Sequence, residues 1–315
     1  MTSIRSFWRH PPAQISGIGA ITAGVLLLSL SDALVKLNNG ALSLGQVLTV
    51  RSAVAVLCLG AVLRLCSRAG RGRGVNGWVW LRSFCLALMW GCYYAGLPGL
   101  PFSIAAACYY TAPMWMALLS STLLGTRIGA RGGLAILLGL AGVLTILRPG
   151  MDDVSPLVGL PLLAGFLYAL AAVITQGRCR DVPAIAMALN LNLVLVLAGF
   201  GLLAALSWLG GHDDAGFLLS VWPKLAASGW ALLIGLGVLL AVITALVASA
   251  YQSAPAPVIG LFDNGYLVFA LLWSGAIFGA RPGPVDIVGI ALIGGGALLA
   301  SIASTNSHPG RMEAA

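Results

Sequence analysis

Asp32 and Lys36 stand in LSLSDALVK (Leu28 to Lys36) and Arg51 in QVLTVRSAVAV, each inside or beside a run that is otherwise apolar. The i,i+4 spacing puts Asp32 and Lys36 on one helical face. Two uses of that pair are open: a local ion pair that neutralises Asp32 and fixes helix packing, or the outer half of a solute path lined by Asp32, Lys36 and Arg51. Arg51 tips the balance toward the path, because two cations around one carboxylate leave net positive charge for an anionic group. Asp263, in LFDNGYLVF, is the other deep acid, with Asn264 beside it and Tyr266 three positions on. It has no cation nearby in sequence, and burial disfavours the charged form of a carboxylate. Asp263 and Asp32 are therefore the two candidates for carrying a proton. Tyr94, Tyr109, Tyr110, Trp115 and Tyr266 complete the candidate solute-binding set. Trp90, Tyr93, Tyr168 and Trp273 are further rings that could wall a cavity, although aromatic side chains also serve as core packing and interface belts.

Other chemistry is poorly supplied. His10 and His308 lie in the tails and His212 in a loop, so the apolar runs hold no histidine for a metal site or a catalytic base. The six cysteines form no CxxC pair and read as small packing residues. Glycine runs such as Gly294 to Gly296 are not followed by Gly-Lys-Ser or Gly-Lys-Thr and follow no strand, so they are not phosphate cradles; they suit close helix approach. No enzyme activity, cofactor or metal is expected.

What must position these side chains is set by the composition. Of 315 residues, 59% are hydrophobic and 8% charged, against about a quarter charged in soluble domains. The expectation is an all-α membrane protein. The formal charge of +8 comes from residues scattered between apolar runs, which argues against a nucleic-acid face. The basic start MTSIRSFWRHPPAQ leads into an apolar run longer than a signal peptide's, without an AxA-type site, and reads as a first span that stays.

A span needs about 20 apolar residues. Ten such runs are expected at Ile15 to Leu37, Leu44 to Leu65, Trp78 to Gly96, Phe102 to Leu124, Gly129 to Leu147, Pro156 to Gln176, Pro183 to Trp208, Leu225 to Tyr251, Val258 to Phe278 and Pro284 to Ile302. Turn chemistry separates them: Asn38 to Gly40, Leu97 to Pro101, Arg148 to Gly150 and Ala254 to Pro257. With the N-terminus inside, the inner segments hold Arg5, Arg9, Arg64, Arg68, Arg71, Arg73, Arg127, Arg131, Arg178, Arg180 and Arg311. The outer ones hold Arg148, Lys224 and Arg281, with Lys36 and Arg51 near the outer edge. This bias orients the chain with both termini in the cytoplasm.

Sliding the chain by 154 residues aligns Pro101 with Pro255, Leu118 with Leu272, Ser120 with Ser274, Gly125 with Gly279, Arg127 with Arg281, Gly129 with Gly283, Ile136 with Ile290 and Gly142 with Gly296. Each half then holds five spans, an odd number, so the second half threads the membrane upside down relative to the first. Tyr109 pairs with Asp263 and Tyr110 with Asn264. The inversion would turn the tyrosines toward the outer half of a pathway and the Asp-Asn pair toward the inner half. Inverted repeats with a site at their interface are a transporter arrangement.

The run PFSIAAACYYTAPMWMALLSSTLLGTRIGARGGLAILLGLAGVLTILRPG (Pro101 to Gly150) resembles the second portion of an EamA-type repeat of the drug/metabolite transporter superfamily. Its second copy is PAPVIGLFDNGYLVFALLWSGAIFGARPGPVDIVGIALIGGGALL. The resemblance covers nearly the whole chain and implies two five-helix repeats, residues 15–150 and 151–302, between tails 1–14 and 303–315. It also implies a central cavity lined by the first halves of helices such as the fourth and ninth. Arg51 matches an arginine often found in the second helix of such repeats. The glutamate often found after the glycine closing the fourth and ninth helices is absent, since Thr126 and Ala280 stand there. The expected function is secondary transport of a small polar metabolite across the cytoplasmic or inner membrane by alternating access, proton-coupled or by exchange. A passive facilitator or channel and a non-transporting assembly subunit are the alternatives. Beyond the solute and the bilayer, a homo-oligomer remains open as a partner.

Overall fold

Helix boundaries fall where the polar punctuation puts them, with two interruptions that matter for the site. The computed structural model describes residues 11–65, 75–124, 130–147, 155–179, 182–210, 216–253, 262–280 and 282–306, and among these there are helices and turns but no strands. Helix α1 (Pro11–Leu37) ends at an Asn38 turn, where the side-chain amide donates to the Leu34 carbonyl at 2.9 Å. Helix α2 opens with a capping box between Ser43 and Gln46, then runs through Leu44–Gln46, a π-helical turn Val47–Arg51, and Ser52–Leu65. Helix α3 (Gly77–Gly96) is capped by Asn76. Helix α4 comes in two pieces, Phe102–Tyr109 and Ala112–Leu124, followed by α5 (Ala130–Leu147), α6 (Gly159–Arg178), α7 (Ala184–Trp208), a single turn Gly216–Leu219, α8 (Ala227–Ser253), α9 (Tyr266–Phe278) and α10 (Pro284–Asn306). By length and composition, six described segments can cross a bilayer: Gly17–Leu37, Leu44–Arg64, Phe102–Leu123, Pro156–Thr175, Ile185–Trp208 and Ala227–Val247. Ala130–Thr145, Tyr266–Phe278 and Pro284–Gly296 are apolar but shorter.

The fourth and ninth apolar runs are not continuous helices, contrary to the sequence expectation. In α4 the chain turns at Tyr110 and Thr111: Pro113 has no amide hydrogen to give the Tyr109 carbonyl, and the Thr111 hydroxyl donates back to the Cys108 carbonyl at 2.8 Å. Before α9 the same interruption is built by Asn264-Gly265, with the Gly265 amide donating to the Phe262 carbonyl at 2.9 Å. Asp263 therefore precedes α9 rather than lying within it. Different residues make the break in each half, yet Tyr110–Thr111 and Asn264–Gly265 lie 154 positions apart. Several features of the sequence reading lie outside the described residues: the turn at 125–129 with Thr126 and Arg127, Arg281, the segments 148–150 and 254–257, the three histidines, and residues 1–10 and 307–315 of the tails.

Most of the larger helix contacts follow one pattern, the contact of α4 with α10, which has no α5–α9 counterpart of comparable extent, being the exception. Helix α1 packs on α8 and α9, α6 on α3 and α4, α2 on α8, α7 on α3, α2 on α7, and α5 on α10. Adding five to each helix number, or subtracting it, turns these pairs into one another. The crossing of α5 on α10 is reciprocal: a Cβ at Gly142 would stand 2.7 Å from the Gly289 carbonyl oxygen and 2.9 Å from the Ile293 amide nitrogen. One at Gly296 would stand 2.8 Å from the Ala135 carbonyl oxygen and 2.9 Å from the Gly139 amide nitrogen. Positions 142 and 296, 135 and 289, and 139 and 293 are all 154 apart, and the partner number falls along α10 as it rises along α5. The two helices therefore cross antiparallel about a local two-fold axis, with backbone against backbone because glycine removes the side chain between them.

Candidate functional site

The buried polar groups of α1, α2, α3 and α9 converge on Asp32. The residue is 2% exposed, and two phenols from different helices fill its carboxylate: Tyr94 Oη donates to Oδ1 at 2.9 Å and Tyr266 Oη to Oδ2 at 2.7 Å. Behind Tyr94, a guanidinium nitrogen of the fully buried Arg51 donates to its hydroxyl oxygen. Behind Tyr266, the hydroxyl of Tyr93 lies 3.0 Å away. Since Tyr266 spends its proton on Asp32, Tyr93 is the donor of that pair. The donors thus run Arg51 to Tyr94 to Asp32 from one side and Tyr93 to Tyr266 to Asp32 from the other. A buried charge left alone would be costly; here the cation and the anion balance through one hydroxyl, without direct contact.

The interruptions of α4 and α9 meet beside this network. The Tyr110 ring stacks on Tyr266, with centroids 5.1 Å apart and planes 25° from parallel, and its hydroxyl donates to the Asp263 main-chain carbonyl at 3.3 Å. Tyr109 contacts Tyr93, Tyr110 and Tyr168 with centroids 5.2 to 5.5 Å apart. A Cβ at Gly165 would stand 2.5 Å from the Tyr109 carbonyl oxygen, so the bare backbone of α6 is what lets the break come this close. Asp32, Tyr93, Tyr109, Tyr266, Trp90, Met89 and Leu28 enclose a cavity of about 20 Å³, room for a single water. The site is therefore closed in this structure, with rings in mutual contact where a larger solute would lie.

Arg51 owes its place to the π-helical turn, a local widening often found at functional sites. A Cβ at Gly237 on α8 would stand 2.8 Å from the Arg51 carbonyl oxygen, and one at Gly199 on α7 would stand 2.8 Å from the Thr49 amide nitrogen. The turn is thus clamped between two glycine faces. The guanidinium carbon lies 4.8 Å from the centroid of Trp90 and 5.1 Å from that of Tyr94.

Of the residues singled out by sequence, Asp32, Arg51, Tyr94, Tyr109, Tyr110, Asp263 and Tyr266 come together, and the buried Asn264 sits in the α9 break. Lys36 does not pair with Asp32: its ammonium donates to the carbonyls of Leu97 and Leu100, and Phe278 lies under it at 5.6 Å. Four methylenes carry that ammonium to the end of α3, whereas Asp32 reaches only its immediate neighbours. Trp115 stands apart, edge-on to Phe166 at 5.5 Å. Tyr110, expected toward the outer half of the pathway, and Asp263, expected toward the inner half, are in contact, the Tyr110 hydroxyl donating to the Asp263 main-chain carbonyl. Tyr93 and Trp90 are central to the site, whereas sequence reasoning ranked them only as further wall rings. Met89 and Leu28 carry no signal that separates them from core packing. Among the described residues, no three His, Cys, Asp or Glu side chains gather as metal ligands.

Residues 157–302 match the EamA-like transporter family. The chain is 27% identical over 224 residues to a riboflavin transporter of Vibrio cholerae serotype O1, covering 69% of this chain and 68% of that one. It is 28% identical over 203 residues to a riboflavin transporter of Rhizobium johnstonii, covering 64% of this chain and 62% of the relative, less than two thirds of its length. A crystal structure of 20% sequence identity superposes with a TM-score of 0.60 over 93% of this chain and 98% of its own, a likeness of fold. Together with the apolar helices, these matches support a multi-pass membrane transporter that resembles the EamA-like transporters of the drug/metabolite transporter superfamily.

Proposed function

We propose that this protein is a secondary transporter that carries a small planar heteroaromatic solute of the riboflavin type across the cytoplasmic or inner membrane by alternating access. Two five-helix repeats, residues 15–150 and 151–302, oppose each other in inverted orientation, with both termini on the cytoplasmic side. The observation that carries the proposal is the ring cage around Asp32: Tyr93, Tyr94, Tyr109, Tyr110, Tyr266 and Trp90 meet where the breaks before α9 and within α4 face each other. A flat ring system can exchange its stacking partners for these at little cost, and its polar edges can take the hydrogen bonds that the phenols now give one another. Because Arg51 and Asp32 balance each other, the cage favours a solute without net charge over the anion expected from sequence. The names of the two relatives support the same solute class. Interrupted helices at a repeat interface, the reciprocal α5–α10 crossing and the five-helix exchange rule of packing support alternating access. Asp32 and Asp263 remain the residues through which a proton would couple.

Riboflavin makes the proposal testable, because stacking on tyrosine and tryptophan quenches its fluorescence. Titration of the purified protein is expected to give saturable quenching, and reconstituted vesicles preloaded with riboflavin are expected to show accelerated counterflow of labelled riboflavin. Flux that neither saturates nor shows counterflow means a passive channel. No binding of riboflavin or lumiflavin rejects the solute class.

A further inference from the structure

Arg51 is more buried than any other cation described, at 0% exposure, yet only one of its three guanidinium nitrogens is used. Nη1 serves Tyr94, whereas Nε and Nη2 have no hydrogen-bond partner. These two nitrogens form the lateral edge of the guanidinium, a flat pair of parallel donors. Buried donors on a charged group are almost always satisfied, so an unused pair calls for an acceptor that comes and goes. The surroundings point the same way. Among the described residues eight buried side-chain polar atoms have no partner, and five of them lie on or beside the π-helical turn and next to Asp32: Arg51 Nε and Nη2, Thr49 Oγ1, Ser52 Oγ and Ser31 Oγ.

We propose that the free edge of Arg51 determines solute specificity by docking a pair of adjacent acceptors on the solute ring, the ring nitrogen and neighbouring carbonyl oxygen of a pyrimidine-dione edge. This rests on the proposed flavin-type solute and names which edge of it is read. The guanidinium is held in place: Nη1 serves Tyr94, its carbon lies 4.8 Å from the Trp90 ring centroid, and the backbone is clamped by Gly199 and Gly237. Trp90 also lines the cavity, so Arg51 is one ring removed from the space where the solute enters. A cavity of about 20 Å³ must widen before any ring system fits, and displacing that ring layer uncovers the donor pair. Lysine offers a point charge on a flexible stem and cannot present two parallel donors.

The test compares riboflavin with 1-deazariboflavin, which keeps the tricyclic plane and the sugar chain but replaces the ring-nitrogen acceptor with a C–H group. Wild-type protein is expected to bind riboflavin about tenfold or more tighter, the size of a lost hydrogen bond to a charged donor. In Arg51→Lys the ratio is expected to shrink to about threefold or less, because lysine cannot present the second parallel donor. Equal affinity of wild type for both compounds overturns the inference and needs no variant, so a poorly folding Arg51→Lys does not shield it. A ratio unchanged in a folded Arg51→Lys overturns it as well. Riboflavin failing to bind wild type overturns the flavin reading and this inference together, whereas tight binding without discrimination overturns only the latter.

Discussion

Replacing Tyr266 with Phe removes one oxygen atom and keeps the ring, so the stack on Tyr110 at 5.1 Å survives while the 2.7 Å bond to Asp32 is lost. Interhelical hydrogen bonds in membrane proteins couple by about 0.6 kcal/mol on average and about 1.7 at most, and a charged acceptor roughly doubles the strength of a neutral pair. From these magnitudes a double-mutant cycle between Tyr266→Phe and Asp32→Asn should show about 1 to 2 kcal/mol of coupling, with the double variant less destabilised than the sum of the singles. The 3.0 Å contact between Tyr93 and Tyr266 is lost in both arms that carry Phe and cancels. Reversible unfolding in mixed micelles reads the four stabilities. Tyr110→Phe, whose hydroxyl faces the Asp263 carbonyl, serves as the uncoupled control and should add to Asp32→Asn. A Tyr266–Asp32 cycle additive within about 0.5 kcal/mol, the usual scatter for independent sites, would refute the idea that Asp32 gathers the helices. A coupling near 0.6 kcal/mol would mean that Asp32 is held uncharged.

Gly142→Ala and Gly296→Ala each push a methyl group against the backbone of the opposing helix. Thermal unfolding should show each destabilised by about 1 to 3 kcal/mol, and by similar amounts, because the crossing is reciprocal. Gly133→Ala and Gly295→Ala, with nothing within 4 Å of the added atom, should be neutral or slightly stabilising. Unequal costs at 142 and 296 would argue against the two-fold crossing. In a cysteine-free background, single cysteines at Asn39 and at Val75 should be labelled by an impermeant reagent from opposite sides of the membrane, Asn39 from outside. Labelling from one side removes the proposed threading.

The parts of the site legible in sequence were those set by local chemistry. A carboxylate in the first apolar run announces itself by the cost of burying it, and the 154-residue offset paired Tyr109 with Asp263 and Tyr110 with Asn264, although the helix interruptions at those places were not foreseen. Contacts between helices were not legible in the same way. The i,i+4 spacing of Asp32 and Lys36 predicts a shared face but not shared partners, and Lys36 found carbonyls at the far end of α3. Tyr93 and Tyr94 are neighbours pointing about 100° apart on an ideal helix, from the 3.6 residues per turn, so sequence favoured one of them. Both are buried because α3 is covered on more than one side by α6 and α7 and reaches Asp32 and Tyr266.

By itself the sequence determined a chain of apolar helices suited to a membrane and two acids in need of partners, because hydropathy and turn chemistry act over a few neighbouring residues. Only the tertiary structure decided that Arg51 reaches Asp32 through Tyr94, that Tyr266 closes the other side, and that the two helix breaks face each other. Those pairings join residues 43 to 234 positions apart, a separation that only the packing of distant helices against one another can close.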